Sequence, residues 1–194
     1  MQDFERPSLT REQADELLRV VDNLRDRALI TLGIATGIRR DDIVNIEIAN
    51  IDLTHARLSF WEEKKDRDWA VPLESNLIVL LKTYINTLEK GTKYLFPKKG
   101  DGRQHIDGKT AYNALHKYLV KAHIIKDEEG ANFPFHGLRH TFVNLSHAAG
   151  RDIKFICQVT GDTEQTIQRV YRHLTFGQLQ EQADSKPLIR GGGF

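Results

Sequence analysis

Cys157 is the single cysteine of the chain. That excludes an intrachain disulfide and fits a reducing cytoplasm. It lies in the apolar helical run Ile153-Lys154-Phe155-Ile156-Cys157, where a buried thiol behaves as a small hydrophobe. No apolar stretch approaches the roughly 18 residues needed to cross a bilayer, so no membrane partner is expected. Met1-Gln2-Asp3-Phe4-Glu5-Arg6 lacks the basic-then-apolar pattern of a secretory signal, and a cytoplasmic protein is the expectation. Internal repeats are missing as well.

An excess of one charge is also missing. Lys and Arg number 28 against 27 Asp and Glu, for a formal net charge of +1. That total would not by itself suggest a nucleic-acid partner, because a basic footprint is a matter of distribution as well as of sum. Basic residues do gather at Lys64-Lys65-Asp66-Arg67, at Lys98-Lys99 with Arg103, and at Arg169 with Arg172-His173. The Lys98-Lys99 pair reads better as a solvated turn.

What is present is an ordinary globular composition, 40% hydrophobic and 28% charged over 194 residues, enough for one domain with one core. The expected fold is mainly α with a small antiparallel β-sheet. Thr10-Arg11-Glu12-Gln13 reads as a capping box, and Ala14, Leu17, Leu18 and Val21 follow as a buried helical stripe. A second helix is predicted from about Arg25 to Ala35 with Gly37 ending it, then a short one through Asp41–Val44. Arg57–Trp61 and Asp68–Val71 read as the arms of a hairpin around a charged turn. Glu74–Leu88 is predicted helical, with Leu77, Leu80, Leu81, Tyr84, Ile85 and Leu88 inward. Leu95-Phe96-Pro97 and Gly100-Asp101-Gly102 form a break before a helix near Gly108–Ala122, and Lys126–Asn132 reads as a loop. Helices recur at Leu138–Ala149, Ile153–Thr160 and Thr163–His173.

Five residues able to handle a phosphodiester occur in order along this scaffold. Arg39 follows the helix-ending Thr36-Gly37, and Asp42, three residues on, is placed to orient its guanidinium. Lys64 precedes the Val71-Pro72-Leu73 strand. His136 and Arg139, in His136-Gly137-Leu138-Arg139-His140, share one face of an opening helical turn, with Leu138 and Phe142 turned to the core. His140 reads as a structural neighbour. Tyr171 closes the series. Singly, each is as well read as a surface or packing residue. Together they offer two guanidiniums, a general acid, a general base and an oxygen nucleophile, enough to break and rejoin a DNA strand without metal.

From about Leu9 to Ala183 the chain resembles the catalytic domain of the tyrosine recombinases, the phage integrase family. The resemblance rests on Thr36-Gly37-Ile38-Arg39-x-x-Asp42, on His136-x-x-Arg139-His140, and on Tyr171, which stands 32 residues beyond Arg139 and is followed by Arg172-His173-Leu174. Lys64 matches the hairpin lysine, with Lys65 the nearest rival. The resemblance implies that Tyr171 attacks the scissile phosphate and leaves a 3′-phosphotyrosyl link. Arg39 and Arg139 would hold the non-bridging oxygens, His136 would take or relay the tyrosine proton, and Lys64 would protonate the departing 5′-oxygen. Neither metal nor other cofactor is implied. The implied partners are double-stranded DNA and further copies of the chain in a tetrameric synapse, and the implied location is the nucleoid. The tail Phe176–Ala183 resembles a segment that family members pack on a neighbouring protomer, although folding back on its own core fits equally.

Two departures from the family pattern stand out. Gly161 is followed by Asp162 where a histidine or tryptophan donor is usual, and a carboxylate only accepts. Asp162 is therefore expected either to turn aside and pair with an arginine or to slow the chemistry. The N-terminal DNA-clamping domain of the family is also not found in 1–194, which reads as a single catalytic domain. The leading expectation is a mobile-element integrase or recombinase. A DNA-binding relative with weakened catalysis and, less favoured, a type IB topoisomerase are the alternatives.

Overall fold

The computed structural model describes residues 7–62, 67–126 and 133–171, with the backbone alone at 61–62, 67–68 and 169–171. Helix α1 (Arg11–Val20) begins at Thr10, whose side chain accepts from the Gln13 amide while the Gln13 side chain accepts from the Thr10 amide. Ala14, Leu17 and Val21 are buried and Leu18 packs at their edge, so the predicted stripe faces inward.

Helix α2 (Leu24–Thr36) is the centre of the molecule. Ala28, Leu29, Ile30 and Leu32 are fully buried, and α1, α3 (Arg40–Val44), α4 (Ser75–Ile85), α5 (Gly108–Lys121) and α6 (Gly137–Ala148) all pack on it. Helix α6 approaches it closely. A Cβ at Gly33 would stand 2.8 Å from Leu138, and one at Gly37 would stand 2.6 Å from the Phe142 ring. Two small residues one turn apart thus let α6 lie directly against the end of α2. This close approach carries Arg139 to the α2 terminus.

A three-stranded antiparallel sheet joins β1 (Ile51–Asp52), β2 (Arg57–Glu62) and β3 (Arg67–Pro72) in that order. The predicted hairpin is its larger part, with Phe60 paired to Trp69 at a ring separation of 5.1 Å. The Trp69 indole N–H donates to the Gln158 carbonyl at 2.7 Å, tying the sheet to α7 (Ile153–Thr160). In helix α4, Leu77, Leu81 and Tyr84 are buried and Leu80 and Ile85 half-buried; the helix stops at Ile85, and Leu88, half-buried, lies in the turn beyond it. The expected break at 95–102 is instead a second small hairpin, β4 (Pro97–Lys98) with β5 (Asp101–His105). Lys98 and Lys99 are exposed there, as a solvated turn requires. Helix α8 (Glu164–Tyr171) completes the described chain, packed on α6 and α7. Cys157 is half-buried against the core, and burial pushes its thiol up, which suits an unreactive packing role. Of the predicted loop Lys126–Asn132, residues 127–132 lie outside the described residues, as does the tail from 172 onward. No described helix is long and apolar enough to cross a membrane.

Candidate active site

Two helices end in the same way. At the end of α2, Thr36 turns its hydroxyl back to the Leu32 carbonyl at 2.6 Å, and Gly37 takes a left-handed φ of 61° while its N–H bonds to Gly33. At the end of α7, Thr160 bonds the Ile156 carbonyl at 2.8 Å, and Gly161, at a φ of 72°, caps onto Cys157. In each, the threonine oxygen also accepts the amide two residues on, that of Ile38 or of Asp162. Glycine relieves the steric cost of that backbone, so Thr-Gly stops each helix sharply and releases the next residues toward one place.

Arg139 holds both stops. Its Nη1 donates to the Gly37 carbonyl at 2.8 Å and its Nη2 to the Thr160 carbonyl at 2.6 Å. These are carbonyls at helix C-termini, which carry partial negative charge and lack a partner inside their helices. The remaining edge of the guanidinium faces Asp162, with Nη2 at 2.6 Å and Nε at 3.2 Å from Oδ2. The Arg139 side chain is only 4% exposed, and burial pushes its pKa below the ordinary value. Asp162 opposes that shift, the like charge of Arg39 adds to it, and the field of Asp42 again favours the cation.

Arg39 is the N-cap residue of α3, with an extended backbone and a side chain 54% exposed. Its Nη2 lies 3.8 Å from Asp162 Oδ1. One carboxylate therefore faces both guanidiniums, a different oxygen toward each. Asp42 is half-buried on the first turn of α3.

His136 sits at the start of α6 with no side-chain capping bond and is exposed, whereas His140, one turn on, is buried. Their rings meet edge to face at 4.7 Å. Arg39, His136, Arg139, His140 and Asp162 line one pocket of about 90 Å³ together with Val143, Thr166 and Ile167. Four of the site residues read from sequence are thereby brought together with Asp162. Of the other three, Asp42 stands on α3 outside the pocket lining, and two are less fully placed. Lys64, with its rival Lys65, lies outside the described residues. Tyr171 ends α8 one helical turn beyond the pocket residue Ile167, and its backbone alone is described. Sequence reasoning missed the Gly37 and Thr160 carbonyls and the lining residues Val143, Thr166 and Ile167. The repeated Thr-Gly was the signal that could have found the first two.

The arrangement can grip a tetrahedral oxyanion between two guanidiniums with an imidazole alongside. Residues 7–178 match the phage integrase family. Tyrosine recombinase XerA of Pyrococcus horikoshii is 27% identical over 183 residues, covering 94% of this chain and 62% of that relative. Tyrosine recombinase XerC of Caldanaerobacter subterraneus is 29% identical over 188 residues, covering 93% of this chain and 51% of that relative. The chain thus spans less than two thirds of the length of either. The crystal structure of XerA recombinase superposes with a TM-score of 0.80 at 24% identity, over 98% of this chain and 67% of that one. The Tn1549 transposon integrase, in complex with transposon right end DNA, gives a TM-score of 0.72 at 17% identity, over 95% of this chain and 67% of that one. Those two likenesses establish the fold, and the match over 7–178 establishes the lineage: this chain belongs to the phage integrase family.

Proposed function

We propose that this chain is the catalytic domain of a site-specific DNA recombinase, of the integrase kind, which cleaves and rejoins double-stranded DNA through a 3′-phosphotyrosyl intermediate. The observation that carries the reading is the meeting of Arg39 and Arg139, 100 residues apart in sequence, at one pocket with His136. Guanidiniums aimed at one point in a partly dehydrated pocket stabilise charge that grows on phosphoryl oxygens in the transition state.

In the proposed reaction the Tyr171 phenolate oxygen bonds to phosphorus and the bond to the 5′-oxygen breaks. An unperturbed phenol has a pKa near 10 and needs its proton taken at neutral pH. His136, exposed at the pocket rim, is the acceptor or relay, and Lys64 is the donor to the departing oxygen. The covalent link conserves the energy of the broken bond, so a second 5′-hydroxyl can reverse the step without ATP. Further copies of the chain would assemble on DNA into a tetrameric synapse at the nucleoid.

The test is a nicked duplex that traps the intermediate, carrying core sites of the element that encodes the chain. A covalent protein–DNA adduct is expected with the full-length protein and is expected to vanish in Tyr171→Phe. The position of Asp162, facing both arginines, favours a second reading, a DNA-binding relative with weakened catalysis. Tight duplex binding with no adduct would select it.

A further inference from the structure

Asp162 is held by more than proximity. Thr160 accepts its backbone N–H at 3.3 Å, and the left-handed Gly161 behind it sets the direction of its side chain. Its Oδ2 takes the Nε–Nη2 edge of Arg139, and its Oδ1 faces Nη2 of Arg39. That edge of Arg139 is the one with two parallel N–H bonds, the fork that fits a carboxylate or a phosphate side-on. Of the other N–H groups of Arg139, one on Nη1 and one on Nη2 are committed to the Gly37 and Thr160 carbonyls. An oxyanion that approaches Arg139 side-on must therefore displace Asp162. Two oxygens on one centre, each toward a different arginine, also reproduce how the two non-bridging oxygens of a phosphodiester would sit.

We propose that Asp162 is a built-in phosphate surrogate: in the DNA-free chain it fills the oxyanion position between Arg39 and Arg139, and a DNA phosphate must expel it to enter. This rests on the recombinase reading for the identity of the ligand, although the competition itself is independent of strand cleavage. Asp162 is 20% exposed, so a path to solvent exists for the displaced carboxylate, and a Cβ at the Gly161 hinge would meet nothing within 4 Å. An internal competitor lowers apparent affinity by the fraction of time the site stands open.

The experiment titrates inorganic sulfate into the chain at constant ionic strength, replacing chloride, and follows the arginine Nε–H and backbone amide signals by NMR. Asp162→Asn is expected to bind sulfate at least about tenfold more tightly than the unaltered chain, the competitor having been removed. Adding Arg39→Ala to Asp162→Asn should cancel the gain. Asp162→Ser serves the same purpose if the asparagine variant fails to fold. A short duplex DNA forms the second arm, with Asp41→Asn, an exposed acid on the neighbouring helix, as the control for simple loss of charge. Asp162→Asn should tighten duplex binding well beyond Asp41→Asn. Equal sulfate affinity with and without Asp162, a gain that survives loss of Arg39, or duplex binding raised no more than by Asp41→Asn would each overturn the proposal. Failure to form a tyrosyl adduct would instead sink the recombinase reading and leave the sulfate competition standing.

Discussion

The Asp162 carboxylate lies 2.6 Å from the nearly buried Arg139 guanidinium and also faces Arg39 at 3.8 Å. This settles which way the atypical residue turns: it pairs with the arginines. The anionic partner offsets the desolvation of Arg139, and on the proposed reading it also occupies the edge where a substrate phosphate would be gripped.

Replacing Asp162 with histidine should separate those two effects. The imidazole restores a hydrogen-bond donor and removes a negative charge from an anionic centre. Loss of one such donor costs ~2.7–4 kcal/mol in comparable sites, so cleavage of a suicide substrate is expected to rise by on the order of a hundredfold. Stability should fall at the same time, by about 1–3 kcal/mol in urea, because a buried cation loses its partner. Equal or lower adduct formation by Asp162→His would remove the inhibitory role.

The two arginines should part company in stability. Arg139 joins the ends of α2 and α7 through the Gly37 and Thr160 carbonyls. A lysine there offers a point charge that cannot span both carbonyls and the carboxylate. Arg139→Lys is expected to cost about 2–4 kcal/mol in chemical denaturation. Arg39 is half exposed with one loose ion pair, and Arg39→Lys should cost under about 1 kcal/mol. Both should impair DNA cleavage. Similar stability losses for the two variants would show that Arg139 does not tie the helix ends.

Acid should loosen a different link. Asp22, just past α1, accepts from the Tyr118 hydroxyl at 2.7 Å and pairs with Lys121 at 2.6 Å, both on α5. The bond from Lys121, then that from Tyr118, lowers its pKa to about 2. A folded value below the unfolded one means that the link stabilises the protein above about pH 4 and is lost as pH falls toward 2. The difference in thermal midpoint between the parent and Asp22→Asn should therefore be present at neutral pH and shrink across that window. A difference that stays constant down to pH 2 would place the effect elsewhere.

Sequence carried the helices well because their signals are local. Thr10 and Gln13 announce a start, and Gly37 announces a stop wherever the chain runs on into a new direction. The β4–β5 hairpin was not legible, since Asp101-Gly102-Arg103-Gln104-His105 has no alternation of apolar residues. It is held by the Lys93 and Ile106 amides bonding Gly102 and Phe96, contacts that depend on tertiary placement. The site shows the same division. The order Arg39, His136, Arg139 could be read from motif spacing alone. The direction of Asp162 could not, because it follows from the left-handed turn at Gly161 and from a buried guanidinium contributed by another helix.

That positioning depends on how closely α2 and α6 approach, which makes the two α2 glycines unequal. Gly33 is helical, and an added methyl would press on Leu138 Cδ1 at 2.8 Å, the far end of a side chain that can shift. Alanine also gains about 1 kcal/mol of helix propensity over glycine. Gly33→Ala should therefore change stability by less than about 1 kcal/mol. At Gly37 the φ of 61° already disfavours any side chain, and the methyl would meet the Phe142 ring at 2.6 Å with its Cβ at 3.1 Å. Left-handed strain of about 1–2 kcal/mol adds to overpacking of about 1–3 kcal/mol. Gly37→Ala is expected to lose about 2–4 kcal/mol in urea and to weaken DNA cleavage with it, since the carbonyl that anchors Arg139 moves. If Gly33→Ala proved the more damaging of the two, the α2 terminus would not be the point that sets the site.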